Sequence, residues 1–234
     1  MLKNLPFVLV LAILGGGIAE GAQSGLQPIA DALDVSTIKT FQFTGNGTMY
    51  SLGQSTSPAA AWPRFFVKSF TRVYDFTSGA MRDEVVRMAA QTPTVGPEQQ
   101  TVTLVSGDYA WNEVGKDRLP RFWEVNERQH YIWTSPHGVV RAALANNATI
   151  TKQNVEGRQM TVVSFVEKNK QKVNVYANDQ NQIERVESWY GHPVAGDLKV
   201  VTHYGAYRDF AGVKFPAKII QYQDGLPTLD LTIT

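Results

Sequence analysis

Arg64-Phe-Phe-Val-Lys-Ser-Phe-Thr-Arg-Val-Tyr-Asp-Phe76 is the stretch on which the fold class turns. It holds no glycine or proline and is rich in the aromatic and β-branched residues that suit a pleated surface. Strict alternation places Phe66, Phe70 and Tyr74 on one face of a long strand, with Phe65, Val67 and Val73 on the other. Both faces are partly apolar. A sheet of that kind packs on one side and carries a helix, a ligand or a second sheet on the other.

Working outward, period-two alternation dominates from Ser36 onward. Further strands are expected over Asp83 to Gln91, Gln100 to Ser106, Tyr109 to Val114, Gln159 to Glu167, Gln171 to Ala177, Gln182 to Trp189, Leu198 to Tyr204, Val213 to Tyr222 and Thr228 to Thr234. Asn178-Asp-Gln-Asn181 and Ala211-Gly212 supply turn chemistry between strands. Ile38 to Tyr50 reads as strand, turn, strand about Gly45-Asn46-Gly47. Helical signals are confined to the centre of the chain. Ser135-Pro136 is a cap followed by a first-turn proline, with Val139, Val140, Ala143 and Leu144 at helical spacing and a stop near Asn146-Asn147. Arg121 to Trp133 is a second, less regular helix candidate. The fold class expected is mainly β (α+β): a curved antiparallel sheet or half-barrel of about ten strands, with one or two helices on its concave side.

The 234 residues suffice for one large domain that folds without staples. There are 22 Lys and Arg against 21 Asp and Glu, a balance that draws neither nucleic acid nor an anionic surface. The absence of cysteine excludes a disulfide scaffold, thiolate zinc sites and a cysteine nucleophile. Met1 to Asn4 is a short basic start, and Leu5 to Leu14 is an apolar run too short to span a bilayer. Small residues at Gly17 and Ala19 suit cleavage after Ala19. Residues 1–19 are therefore expected to be a signal peptide and residues 20–35 a lead-in. Residues 36–234 should form a single domain, exported to a periplasmic or extracellular location with no stable membrane span after cleavage.

Chemistry is harder to find. His130, His137, His192 and His203 show no spacing that gathers metal ligands on one face. No Gly-x-Ser-x-Gly elbow is present, and Gly45-x-Gly47 precedes a strand where a dinucleotide loop needs a helix N-terminus. Asp83-Glu84 and Glu184/Glu187 point to opposite strand faces. A catalytic reading would have to assemble His137, Asp209 and a serine in space. What remains is an aromatic surplus: Trp62, Trp111, Trp123, Trp133 and Trp189 beside the Phe-rich strand. Phe66, Phe70, Trp111 and Trp133 are the candidates to line an apolar groove between sheet and helices, and a hydrophobic small molecule or acyl chain is the partner such a groove fits.

Several strings, in order, carry a resemblance: Phe41-Gln-Phe-Thr-Gly-Asn-Gly-Thr48, Gly53-Gln54, Trp62-Pro-Arg-Phe65, Val105-Ser-Gly-Asp-Tyr-Ala-Trp-Asn112, Pro136-His-Gly138 with Ala142-Ala-Leu-Ala-Asn146, and Tyr207-Arg-Asp-Phe-Ala-Gly-Val-Lys-Phe-Pro216. Together they resemble the N-terminal region of exported bacterial metallo-β-lactamase-fold hydrolases. The last string also resembles the half-barrel of periplasmic lipoprotein-localisation carriers, whose curved sheet holds acyl chains. The hydrolases' zinc motif, His-x-His-x-Asp-His, is absent here, so no catalytic residue carries over and zinc is implied only for a following domain missing from this chain. The resemblance implies an exported, non-catalytic accessory domain that binds an apolar or amphipathic ligand or packs on a metallo-β-lactamase-fold domain. The alternatives it leaves are a fragment of a zinc-dependent hydrolase and a periplasmic lipoprotein or lipid carrier.

Overall fold

A computed structural model describes residues 17–51, 54, 62–90, 95–167, 171–192 and 196–234. The expected signal peptide lies mostly outside them, as does Gly53 of the resemblance strings. Thirteen strands among the described residues form one open antiparallel sheet. In chain order they are β1 (Thr40–Tyr50), β2 (Arg64–Asp75), β3 (Ala80–Ala90), β4 (Val95–Ser106), β5 (Tyr109–Val114), β6 (Asp117–Pro120), β7 (Thr149–Val155), β8 (Arg158–Val166), β9 (Lys172–Ala177), β10 (Ile183–His192), β11 (Gly196–Phe210), β12 (Val213–Gln223) and β13 (Leu226–Ile233). Three helices accompany them: α1 (Gly17–Ala32), α2 (Val125–Trp133) and α3 (Pro136–Ala145), with a 3-10 turn over Phe122–Glu124 before α2. No helix among the described residues is long and apolar enough to cross a membrane.

The sheet order is β6-β5-β4-β3-β2-β1-β13-β12-β11-β10-β9-β8-β7. The chain thus runs from the centre of the sheet to one edge, crosses through α2 and α3, and returns from the other edge to pair β13 with β1. The two strands not foreseen, β6 and β7, are those edges. Their side chains are nearly all exposed, so no buried face imposes an alternating pattern on their sequence. This accounts for thirteen strands where about ten were expected.

The strong bend of the sheet follows from α2. Arg128 donates to the Leu104 carbonyl of β4 (2.8 Å), while His130, two residues on, hydrogen-bonds Ser188 Oγ of β10 (2.8 Å). β4 and β10 are seven strand-to-strand steps apart, about 34 Å if the sheet were flat at ~4.8 Å per step. Two side chains half a helical turn apart cannot bridge that gap. Only a sheet curled around the helix brings its arms within reach, and the result is a half-barrel.

β1 corrects the expected hairpin. Gly45 and Gly47 do not turn the chain; they lie mid-strand, opposite Ile233 and Leu231 of β13. A Cβ at Gly45 would sit 2.7 Å from the Thr232 carbonyl oxygen and one at Gly47 1.9 Å from that of Asp230. The glycines permit close backbone approach where the two arms join. In β2 an extra residue between Val67 and Phe70 shifts the register against both neighbours. This bulge reverses the facing of the strand. Val67, Phe70 and Tyr74 are therefore buried on the inner face, whereas Phe66 leaves the face that uninterrupted alternation assigned to it together with Phe70.

Residues 20–35, expected as a lead-in, belong largely to α1. Leu26, Ile29 and Ala30 form its buried stripe and, with Leu33 in the turn just after it, join the main core. The expected α3 begins where its cap predicts. Ser135 is extended and its hydroxyl accepts from the Gly138 amide (3.2 Å), with Pro136 in the first turn. The α2–α3 corner is tight. A methyl at Gly138 would lie 1.9 Å from the Ile132 carbonyl oxygen and 2.8 Å from Ser135 Oγ. Gly138→Ala is expected to destabilise the protein by about 3 kcal/mol, because backbone must yield to it. Urea unfolding of the variant beside the parent checks this.

Candidate functional site

The concave face between the sheet and the α2–α3 corner is built of rings. Phe41 and Phe43 alternate inward on β1, Phe70 and Tyr74 on β2, and Phe215 on β12. Ring centroids of Phe41 and Phe215 are 5.0 Å apart, those of Phe43 and Phe215 5.1 Å, and those of Phe41 and Tyr74 5.3 Å. Such tilted contacts suit aromatic quadrupoles. Two spaces open onto this cluster. One is a cup of about 200 Å³ lined by Phe41, Phe43, Phe210, Val213, Phe215 and Ile233, with Gln42, Thr44 and Thr234 also on its wall. The other is a slit of about 30 Å³, roofed by Tyr131, Thr134 and Pro136 and floored by Phe43, Phe70, Tyr74, Phe215, Leu229 and Leu231. Phe43 and Phe215 are walls of both.

The roof is held by polar anchors to both arms. On one side Arg128 also donates to the Trp111 carbonyl (2.7 Å) and Asn112 Oδ1 (2.6 Å), and pairs with Glu124. Gln129 Nε2 donates to the Gly79 and Gly107 carbonyls (2.8 and 2.9 Å). On the other side His130 meets Ser188, and its Nδ1 lies 3.1 Å from Gln171 Oε1. Because that amide oxygen only accepts, Nδ1 carries the proton and Nε2 accepts from the serine. Tyr204 adds a bond from its hydroxyl to the Thr134 carbonyl (2.9 Å).

One ion pair lies within the slit wall. Arg72 Nε and Nη2 donate to the two Asp83 oxygens (2.6 and 2.5 Å), and the guanidinium faces the Phe70, Tyr74 and Tyr131 rings at 5.1 to 5.7 Å. Burial opposes the charge on Arg72, but Asp83 and Tyr74 overcome it and hold the guanidinium well above its ordinary pKa. The pair is bidentate and leaves little charge for an anion. The polar groups on the slit are likewise engaged with one another: Gln221 donates to Thr202 Oγ1 (3.2 Å) and Thr228 donates to Gln221.

Two other clefts differ in character. One of about 340 Å³ is lined by Arg158, Glu184, Arg185, Glu156 and His203, whose charges pair internally: Arg158 with Glu184 (2.7 Å) and Arg185 with Glu156 (3.2 Å). The other, about 1030 Å³, is lined by polar side chains including Asn146, Asn147, Ser164 and Asn174 and by the apolar Phe165, Val166 and Trp189. Among the described residues no three His, Asp or Glu side chains gather as metal ligands.

Of the four groove candidates, Phe70 lies in the slit, 2% exposed. Phe66 is 39% exposed, displaced by the bulge. Trp111 alternates with Ala110 and Asn112, which face the core and α2, and so lies on the opposite face of β5. Trp133 is at the end of α2, where its Nε1 donates to Gln129 Oε1 (3.0 Å) beside the Gly79 turn. These four do not share one surface. His137 and Asp209 do not form a catalytic pair: both His137 nitrogens lack a hydrogen-bond partner, and Asp209 accepts from the Gly212 amide (2.7 Å) at the β11–β12 turn. Phe41, Phe43, Phe215 and Arg72 were missed as site residues. For the first two the signal was present, as the alternation Phe41-Gln-Phe-Thr.

No family model matches the sequence, and a search of curated proteins finds no match. Among solved structures, the chain is similar to a LolA superfamily protein from Nitrosomonas europaea, with a TM-score of 0.52 and 14% identity over 89% of this chain and 91% of that one. LprF from Mycobacterium bovis aligns over 92% of each chain at 14% identity, with a TM-score of 0.33. The first likeness is one of fold, and it agrees with the expected half-barrel. The resemblance to the N-terminal region of metallo-β-lactamase-fold hydrolases has no counterpart in these comparisons.

Two measurements follow from this geometry. Arg72→Ala strands the Asp83 carboxylate in the core and is expected to cost about 3–5 kcal/mol, most of it recovered when Asp83→Leu accompanies Arg72→Met; equilibrium unfolding checks both. The second concerns pH. Burial lowers His130 and His137 to about 4, below the ~6.5 of an unfolded chain, so the unfolded state binds more protons between those values. Stability contributed by the neutral rings is present above pH 6.5 and falls as pH drops toward 4. Glu167, pushed up to about 7 by burial, works in the opposite sense and offsets one of them. Unfolding free energy should therefore be lower at pH 4.5 than at pH 6.5 by about 2–3 kcal/mol, measured by urea titration at each pH.

Proposed function

We propose that this chain is an exported carrier of a hydrophobic or amphipathic ligand, a lipid or an acylated molecule, held between the concave face and the α2–α3 corner. The observation that carries the reading is the aromatic cup, which shares the walls Phe43 and Phe215 with a slit whose charged and polar groups are already engaged. A space of that chemistry accepts an apolar chain and leaves a polar head outside. The likeness to a LolA superfamily fold supports the same reading at the level of architecture.

Volume decides what must happen on binding. Pockets for small molecules span roughly 300–1,000 Å³, more than the cup and slit offer together. A full-length chain therefore enters only as α2 and α3 lift from the sheet, and the roof is a lid. The basic and apolar start of the sequence supplies the export signal. Cleavage after Ala19 would leave Leu26 and Ile29, the buried anchors of α1, and Leu33 just after it in place.

The test is titration of the purified chain with N-phenyl-1-naphthylamine, followed by competition with palmitate. Saturable fluorescence that palmitate displaces is expected, and Phe210→Ser, at the cup wall, should weaken it about tenfold. Absence of saturable binding, or binding indifferent to Phe210→Ser, would remove the carrier reading.

A further inference from the structure

His137 is 0% exposed, and neither ring nitrogen makes a hydrogen bond. Its ring lies 5.0 Å from Phe41, 6.0 Å from Phe215 and 6.4 Å from Phe76. Phe41 and Phe215 are walls of the cup, and Phe215 also of the slit. The imidazole thus stands directly behind the rings that a ligand would meet. A buried polar ring without partners costs stability that a phenylalanine of similar shape would not, so its place at the root of the lid calls for a role.

Its surroundings resist a proton. His137 occupies the first turn of α3, where the helix dipole disfavours a cation. From the same helix, Arg141 donates to the Val35 and Ile38 carbonyls and stacks 5.1 Å over Phe76, adding a fixed positive charge. The segment after α1 works the other way: Asp34 and the Leu33 carbonyl favour the charged ring, though the carbonyl completes no hydrogen bond. β1, the turn after β2 and β12 bring the rings of Phe41, Phe76 and Phe215 against it. Burial outweighs all of these and keeps the ring neutral down to about pH 4.

We propose that His137 is a proton-operated latch: taking up a proton at this partnerless imidazole drives the α2–α3 corner off Phe41 and Phe215 and opens the slit. An open corner exposes the ring to water, where it binds a proton near its ordinary pKa. Acid therefore favours the open form by mass action. His130, on α2, adds in the same direction because lifting the lid also frees it from Ser188 and Gln171. The consequence for cargo rests on the carrier reading, whereas the opening itself does not.

Hydrogen exchange of amides 125–145, corrected for intrinsic rates and compared at pH 7.5 and 5, tests the latch, with N-phenyl-1-naphthylamine binding followed in parallel. In the parent, acid should raise lid opening while β1, β12 and β13 amides stay protected. His137→Phe, which fills the ring cluster without a titrating group, should reduce that rise by about 30-fold at pH 5. Imidazole titration of the parent by NMR supplies a second measure independent of the variant, and His137 should remain neutral well below pH 6. The proposal is overturned if parent and variant respond to acid alike, if strand and helix amides lose protection together, or if His137 titrates at its ordinary value. Lid opening without probe binding would support the latch and remove the carrier reading instead.

Discussion

Nine residues of α2 hold the two arms of a thirteen-stranded sheet in one curve. Arg128 and Gln129 grip β4, β5 and the turns beside them; His130 grips β10 through Ser188 and the residue before β9 through Gln171. Open sheets of this size twist and curl, but their curvature needs something to define it. Here it comes from a short helix whose consecutive side chains are bonded to strands far apart in the sheet. The connection from β6 to β7 must cross between the two edges, and it does so by way of this helix and the next.

That arrangement explains why the concave face is both packed and incompletely filled. The rings on β1, β2 and β12 approach the lid from one side, and Tyr131, Thr134 and Pro136 approach from the other. Contact between the two is aromatic and aliphatic, while attachment between them is polar and located at the rim. Apolar contact is non-directional and reforms against a ligand as readily as against the lid. The rim bonds are directional and fix where α2 and α3 sit on the sheet. The proposed carrier role would use this division, since its closed form would have to be stable without being so tightly interlocked that no chain could displace the roof.

Buried titratable groups mark the same region. Arg72 with Asp83, His130 with Ser188 and Gln171, and the partnerless His137 all lie on or behind the surfaces that meet in the slit. A core optimised only for stability would replace them with hydrocarbon. Burial keeps the two imidazoles neutral down to about pH 4, so acid opposes the packing of α2 and α3 on the sheet.

The mainly antiparallel class, most strand positions, the cap and start of α3 and the aromatic character of one face are legible in the residue pattern. Each is encoded locally, in alternation, turn residues or a capping serine. It did not reveal the edge strands β6 and β7, because exposed edges carry no buried-face pattern, nor α1, whose stripe only gains meaning against α3 and β7. It misread Gly45 and Gly47 as a turn, since a glycine needed for close backbone approach looks the same as one needed for a positive φ until its neighbour is known. Tertiary structure alone decided which rings form the site. The bulge in β2 reverses the facing of a strand midway, sending Phe66 outward and Phe70 inward, and α2 chooses which strands become neighbours across the hollow. Both effects depend on contacts between residues far apart in the chain, and a periodic pattern carries no information about those.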